Sequence, residues 1–158
     1  MPLLYAVGDI HGRRDLLEPL LTAIDADAAS RRSAARIVFL GDVIDRGPES
    51  RQALDLVIDT LGDRPGSKLI LGNHEEFMLR FIDDAGNRER IARTWFANGG
   101  LTTLASYGFG EQDRIDAIAN GFLRDFPAHV EALNRADWLL TAGPYCFVHG
   151  GIDPALPL

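Results

Sequence analysis

Four short segments of this chain carry polar residues of one chemical kind directly behind apolar runs: Gly8-Asp9-Ile10-His11-Gly12, Gly41-Asp42-Val43-Ile44-Asp45-Arg46-Gly47, Gly72-Asn73-His74-Glu75 and Val148-His149-Gly150-Gly151. Carboxylate, amide oxygen and imidazole without thiolate form a ligand set for manganese, iron or zinc, softer than the all-oxygen cages that hold calcium or magnesium. Two adjacent cations need an anionic bridge to offset their repulsion, and Asp42 lies in sequence between the other ligand candidates. Each segment alone says little, because a Gly-Asp pair after a strand is more often a turn than a metal site. Their weight comes from their spacing.

Residues 3–7, 36–40 and 68–71 are short, apolar and end at glycine, which predicts buried strands. Residues 14–26 and 49–61 place apolar side chains at three- and four-residue steps and predict amphipathic helices. Asp9 and Asp42 are 33 positions apart, and Asp42 and Asn73 are 31 apart, the length of a strand–helix–strand crossover. Three parallel strands in one sheet follow, and the carboxyl ends of parallel strands share one edge, where ligands bind. After Asn73 the rhythm changes, and 76 positions separate it from His149. Helices are expected at about 75–84, 88–97, 112–126 and 128–135, an insertion over the sheet spanning about 75–136, with Asn98-Gly99-Gly100 as a helix stop. Residues 138–142 and 145–148, joined by Gly143-Pro144, predict a hairpin.

A length of 158 residues suits one domain, with apolar and charged fractions of 46% and 25% that are ordinary for a globular chain. Sixteen Lys and Arg against 23 Asp and Glu leave a net charge of −7, the wrong sign for tracking nucleic-acid or membrane phosphates by bulk charge. The charge of an anionic substrate must therefore be met locally. Cys146 is the sole cysteine, so no internal disulfide or cysteine-based zinc site is available, and its strand position predicts a buried small side chain. No segment approaches the ~20 apolar residues of a membrane helix. The run at 3–7 lacks a basic leader, and a cytoplasmic protein is expected.

The series GDIHG, GDVIDRG, GNHE and HGG resembles the calcineurin-like metallophosphoesterase family, in particular its phosphoprotein-phosphatase branch. The wording is similar to bacterial and phage serine/threonine protein phosphatases and to relatives that cleave diadenosine tetraphosphate, as is the stretch from Trp95 to Gly108. The resemblance implies an α/β fold, a layered α-β-β-α sandwich, with two divalent metal ions, manganese foremost and iron or zinc as alternatives. It places Asp9, His11 and Asp42 on the first metal and Asp42, Asn73 and His149 on the second. His74 becomes the proton donor, Asp45 its orienting partner and Arg46 a clamp on phosphate. Family members carry a further ligand histidine in a Gly-His pair, whereas this sequence ends nine positions after His149, so the expectation is the N-terminal part of a longer protein. His129, the one histidine without a role, is read as solvent-facing rather than as a replacement ligand.

These roles suit the residue types. Two metals about 3.5 to 4 Å apart lower the pKa of a water between them and neutralise phosphoryl oxygens. Arg46 offers a planar fork for two phosphate oxygens, although alone it reads equally as a surface ion-pair residue. His74 could reach a leaving oxygen, with Asp45 fixing its tautomer and raising its pKa. The first functional expectation is two-metal hydrolysis of phosphomonoesters by a serine/threonine protein phosphatase, its partner a phosphorylated protein or a small phosphoester. The alternatives are a dinucleoside polyphosphate hydrolase and a metal-bound module that binds phosphate with little turnover. Arg80, Arg88, Arg90 and Arg93 read as a solvated helix face before a docking site for phosphorylated segments, and Trp95 and Phe96 as packing before a cleft lining. Oligomeric state is not encoded in any of these features.

Overall fold

The computed structural model describes residues 2–110, 112–153 and 155. Strands β1 (Leu3–Val7), β2 (Ala35–Phe39) and β3 (Lys68–Leu69) lie parallel in the order β1-β2-β3, with Val7 beside Phe39 and Phe39 beside Leu69. Helix α1 (Arg14–Ser30) makes the first crossover and buries Leu17, Leu21, Ile24 and Ala28, the stripe its spacing predicts. Helix α2 (Ser50–Asp63) makes the second and buries Ala53, Leu54 and Val57. Ile37, Val38 and Phe39 of the central strand are fully buried, as expected for a strand covered on both faces. β3 is shorter than the predicted 68–71, yet pairing continues: Ile70 N–H donates to Phe39 O at 2.8 Å and Leu71 N–H to Asp137 O at 2.8 Å.

The helical stretch comprises α3 (Asn73–Asp83), α4 (Arg88–Trp95), a π-type turn at Phe96–Gly100, α5 (Leu101–Ser106), α6 (Ile115–Asp125) and α7 (Pro127–Asn134). The predicted stop at 98–100 is a bend, because Gly99 adopts φ +108° and the chain resumes as α5. A Cβ at Gly99 would lie 2.8 Å from Arg46 N and Cγ, so this glycine permits close approach to the site loop rather than ending the helical stretch. No helix among the described residues is long and apolar enough to cross a membrane.

Two side chains lie where the sequence did not put them. His129 is buried, taking the Tyr107 hydroxyl at Nδ1 (2.7 Å) and facing Asp55 Oδ1 from Nε2 (2.8 Å), which ties α7 to α2. Pro127 starts the helix so that this ring turns inward among Tyr107 and Phe126. Cys146 is exposed. It lies in the antiparallel hairpin of β4 (Leu139–Ala142) and β5 (Tyr145–Val148), where Trp138 and Tyr145 are also two-thirds exposed. Alternation along a strand buries a face only if a second layer covers it, and no described residues cover this one.

Candidate metal centre

The loops leaving β1, β2 and β3 bring Asp9, His11, Asp42, Asn73 and His74 to one edge, and β5 delivers His149 to the same place. Gly41 and Gly72 make this packing possible: a Cβ on Gly41 would lie 2.5 Å from Gly72 N, and one on Gly72 would lie 2.3 Å from Asp42 N and Oδ1. His11, Asp42, Asp45 and Arg46 have φ values of +46°, +52°, +72° and +69°. Left-handed backbone at non-glycine residues is strained, and here it is concentrated in the residues proposed for chemistry.

Ligand atoms of His11, Asp42 and His74 lie within 4.8 Å of one another, as do those of Asp9, Asp42 and His149. Asp42 belongs to both groups, with its oxygens divided between them. Oδ1 lies 3.3 Å from His149 Nε2, and Oδ2 lies 3.8 Å from His11 Nε2 and 3.9 Å from His74 Nε2. Asp9 Oδ2 is 3.9 Å from His11 Nε2, so Asp9 sits between the two groups. Asn73 Oδ1 is 3.0 Å from His149 Nε2. His11 Nδ1–H donates to Ile44 O at 3.0 Å and His149 Nδ1–H to Leu40 O at 2.7 Å, which fixes both tautomers and turns the Nε2 lone pairs toward the carboxylates. Lone pairs of His149, Asn73 and Asp42 then face one another, a juxtaposition that a cation between them relieves. The donor set therefore fits divalent metal ions.

His74 is buried and held through Nδ1 by Asp45 Oδ2 at 2.6 Å. That hydrogen bond raises the imidazole pKa above its ordinary value, against burial, with the charge of Asp42 adding to the effect. Asp45 has no exposure, and the other hydrogen bonds to its carboxylate come from the helical stretch: Trp95 Nε1–H donates to Oδ2 at 2.8 Å and the Thr103 hydroxyl to Oδ1 at 2.6 Å. Its backbone N–H is received by Ser50 Oγ at 3.0 Å and Thr103 Oγ1 at 2.9 Å. Arg46 is exposed, and its Nη1 and Nη2 donate to Nε2 of His11 (2.7 Å) and His74 (3.1 Å). A lone pair that accepts from guanidinium cannot also bind a cation, so Arg46 must turn away for His11 to ligate, which frees its fork for an anion.

All eight residues singled out from the motifs thus converge within one constellation. Trp95 combines the two readings offered for it, since it is fully buried and touches Asp45. Thr103 and Ser50 also hold Asp45, and no local sequence pattern marks them. Glu75 stands in the first turn of α3 and accepts from Gly72 N–H at 3.1 Å, but with glycine at the N-cap there is no reciprocal side chain, so the sequence carries no full capping-box pattern there. The arginines do not share one solvated face: Arg80 pairs with Glu76, while Arg88 is partly buried and donates to the carbonyls of Phe81 and Ile82 and to Asp116.

Residues 3–156 match the family model described as calcineurin-like phosphoesterase. The chain belongs to the calcineurin-like phosphoesterase family. Within it, the chain is similar to the symmetrical bis(5'-nucleosyl)-tetraphosphatase of Dechloromonas aromatica (strain RCB), 33% identical over 156 residues, covering 95% of this chain and 44% of that protein. It is also similar to the protein of the same name from Janthinobacterium sp. (strain Marseille), 42% identical over 150 residues, with coverage of 95% and 44%. A solved structure described as a candidate diadenosine tetraphosphatase superposes with a TM-score of 0.61 at 20% identity, covering all of this chain and 56% of that one, a likeness of fold. The chain spans about 44% of the length of these curated calcineurin-like relatives.

Proposed function

We propose that this chain carries a two-metal phosphoesterase centre acting on dinucleoside polyphosphates, with residues 1–158 belonging to a single metallophosphoesterase domain whose helical insertion spans about 75–136. The observation that carries the metal reading is the Asp42 carboxylate, whose two oxygens face separate ligand groups. The substrate reading rests on the relatives, which are named as tetraphosphatases, and it displaces the serine/threonine protein phosphatase reading, which neither relative's name carries.

In this scheme Asp9, His11 and Asp42 hold one divalent ion, and Asp42, Asn73 and His149 hold the other, manganese being the first candidate. When bound, such ions supply a nucleophile from water near neutral pH and neutralise phosphoryl charge. Arg46, once turned from the imidazoles, clamps two oxygens of the phosphate under attack. His74, fixed by Asp45 at Nδ1, presents Nε2 to the departing oxygen and protonates it. Asp45 keeps that ring in one tautomer and favours its charged form.

Turnover of diadenosine tetraphosphate and of a phosphoserine peptide, compared with manganese present, tests the substrate. The tetraphosphate should be cleaved faster, to nucleoside diphosphates. Faster release of phosphate from the peptide would overturn the reading and restore the first expectation, a phosphoprotein substrate.

A further inference from the structure

Glu75 is fully buried, and among the described residues no Lys or Arg pairs with it. Burying a carboxylate is costly unless donors surround it. Here the donors are backbone: Asp42 N–H and Gly72 N–H reach Oε2 at 2.8 and 3.1 Å, and Val43 N–H and Ile44 N–H reach Oε1 at 2.8 and 3.1 Å. Three of the four come from consecutive residues of the loop after β2, a convergence in which Asp42 adopts φ +52°. In the opposite direction, His74 N–H in the first turn of α3 donates to Asp42 Oδ1 at 3.2 Å. The loop and the helix therefore hold each other, Glu75 gripping the backbone that carries Asp42 while Asp42 grips the backbone beside Asn73.

We propose that Glu75 is a positioning residue for the metal centre: its carboxylate clamps residues 42–44 to the first turn of α3 so that the two oxygens of Asp42 face the two ligand groups. The proposal rests on the two-metal reading of Asp42 and adds to it a residue that touches no ligand position itself. A neutral amide cannot replace the carboxylate, because a Gln NH₂ would meet backbone N–H groups, donor against donor. A shorter carboxylate keeps the charge and loses the reach.

Glu75→Gln and Glu75→Asp, with Tyr107→Phe as a control for unaltered metal binding, should be titrated with Mn²⁺ after chelation, with folding checked by circular dichroism. Both Glu75 variants should fold and lose about 10- to 100-fold in Mn²⁺ affinity, the usual consequence of removing a residue that orients a ligand. Electron paramagnetic resonance should show a coupled manganese pair in the parent and isolated ions in the variants. Unchanged affinity and a coupled pair in the variants would overturn the proposal while leaving the two-metal reading intact. A parent that binds no manganese pair would overturn both.

The parent alone gives a second test that survives a variant's failure to fold. The amides of Asp42, Val43, Ile44 and Gly72 should be protected from hydrogen exchange in the metal-free protein as strongly as with Mn²⁺. Protection that develops only with metal would mean that the ions, not Glu75, order this loop.

Discussion

His74 and Asp45 are joined at 2.6 Å through Nδ1, which leaves Nε2 as the only ring atom able to give a proton to substrate. General-acid catalysis contributes ~10²- to 10⁴-fold, and most where the leaving oxygen is strongly basic. His74→Asn should therefore keep its metals, lose activity in that range toward an alkyl phosphate, and lose much less toward a dinucleoside polyphosphate, whose diphosphate leaving group is weakly basic. Paired kinetics on the two substrates checks this, and equal losses would assign His74 to binding. The same hydrogen bond links stability to pH. The folded-state pKa of His74 is raised, so its contribution is complete below the unfolded value of about 6.5 and disappears as pH rises through the folded value. In metal-free protein the stability gap between parent and Asp45→Asn should accordingly be widest near pH 5 to 6 and narrow on raising the pH, as read by urea unfolding at each pH.

At the scale of elements, the site depends on close approach of two loops and on one helix reaching under it. Gly72→Ala would put a methyl 2.3 Å from Asp42 N and Oδ1, in the joint between the β2 loop and α3. The backbone there must separate, so manganese affinity and melting temperature should fall together, and a normal metal titration would show that the joint is softer than its packing implies. Trp95, at the end of α4, donates to the same Asp45 oxygen that holds His74. Trp95→Phe leaves that buried acceptor with one donor fewer, at a cost of about 1–3 kcal/mol. Denaturant unfolding measures the loss, and Thr103→Val should resemble it because Thr103 satisfies the other oxygen.

Across the whole molecule, the helical stretch is tied to the crossover helices by side chains far from the metal centre. Tyr107 bonds His129, and His129 meets Asp55 of α2, joining three parts of the chain that are distant in sequence. Burial pushes the Tyr107 hydroxyl pKa well up, which keeps it neutral and donating. Tyr107→Phe should lower stability by about 1–3 kcal/mol with manganese affinity unchanged, a separation of the two properties that thermal melts and metal titration together would show. At the opposite end, the exposed hairpin leaves Cys146 open to solvent. One thiol per chain should react with an aromatic disulfide reagent without denaturant, and a silent thiol would place a covering layer over β5.

The convergence of the motif residues and the parallel sheet were legible in the sequence for one physical reason. Crossovers of about thirty residues oblige successive parallel strands to end on the same edge, so the residues after them must meet. Asp9, Asp42 and Asn73 could be placed from spacing alone, whereas Asp45 beside His74 was implied by the family resemblance. What supports them came from tertiary structure. Trp95 and Thr103 lie fifty and fifty-eight positions from Asp45, on helices whose approach angle is set by packing and leaves no trace in their periodicity. His129 and Cys146 show the same limit from the other side. A residue's own pattern shows which face of its element it occupies, but burial depends on whether another element covers that face, and only the folded chain decides that.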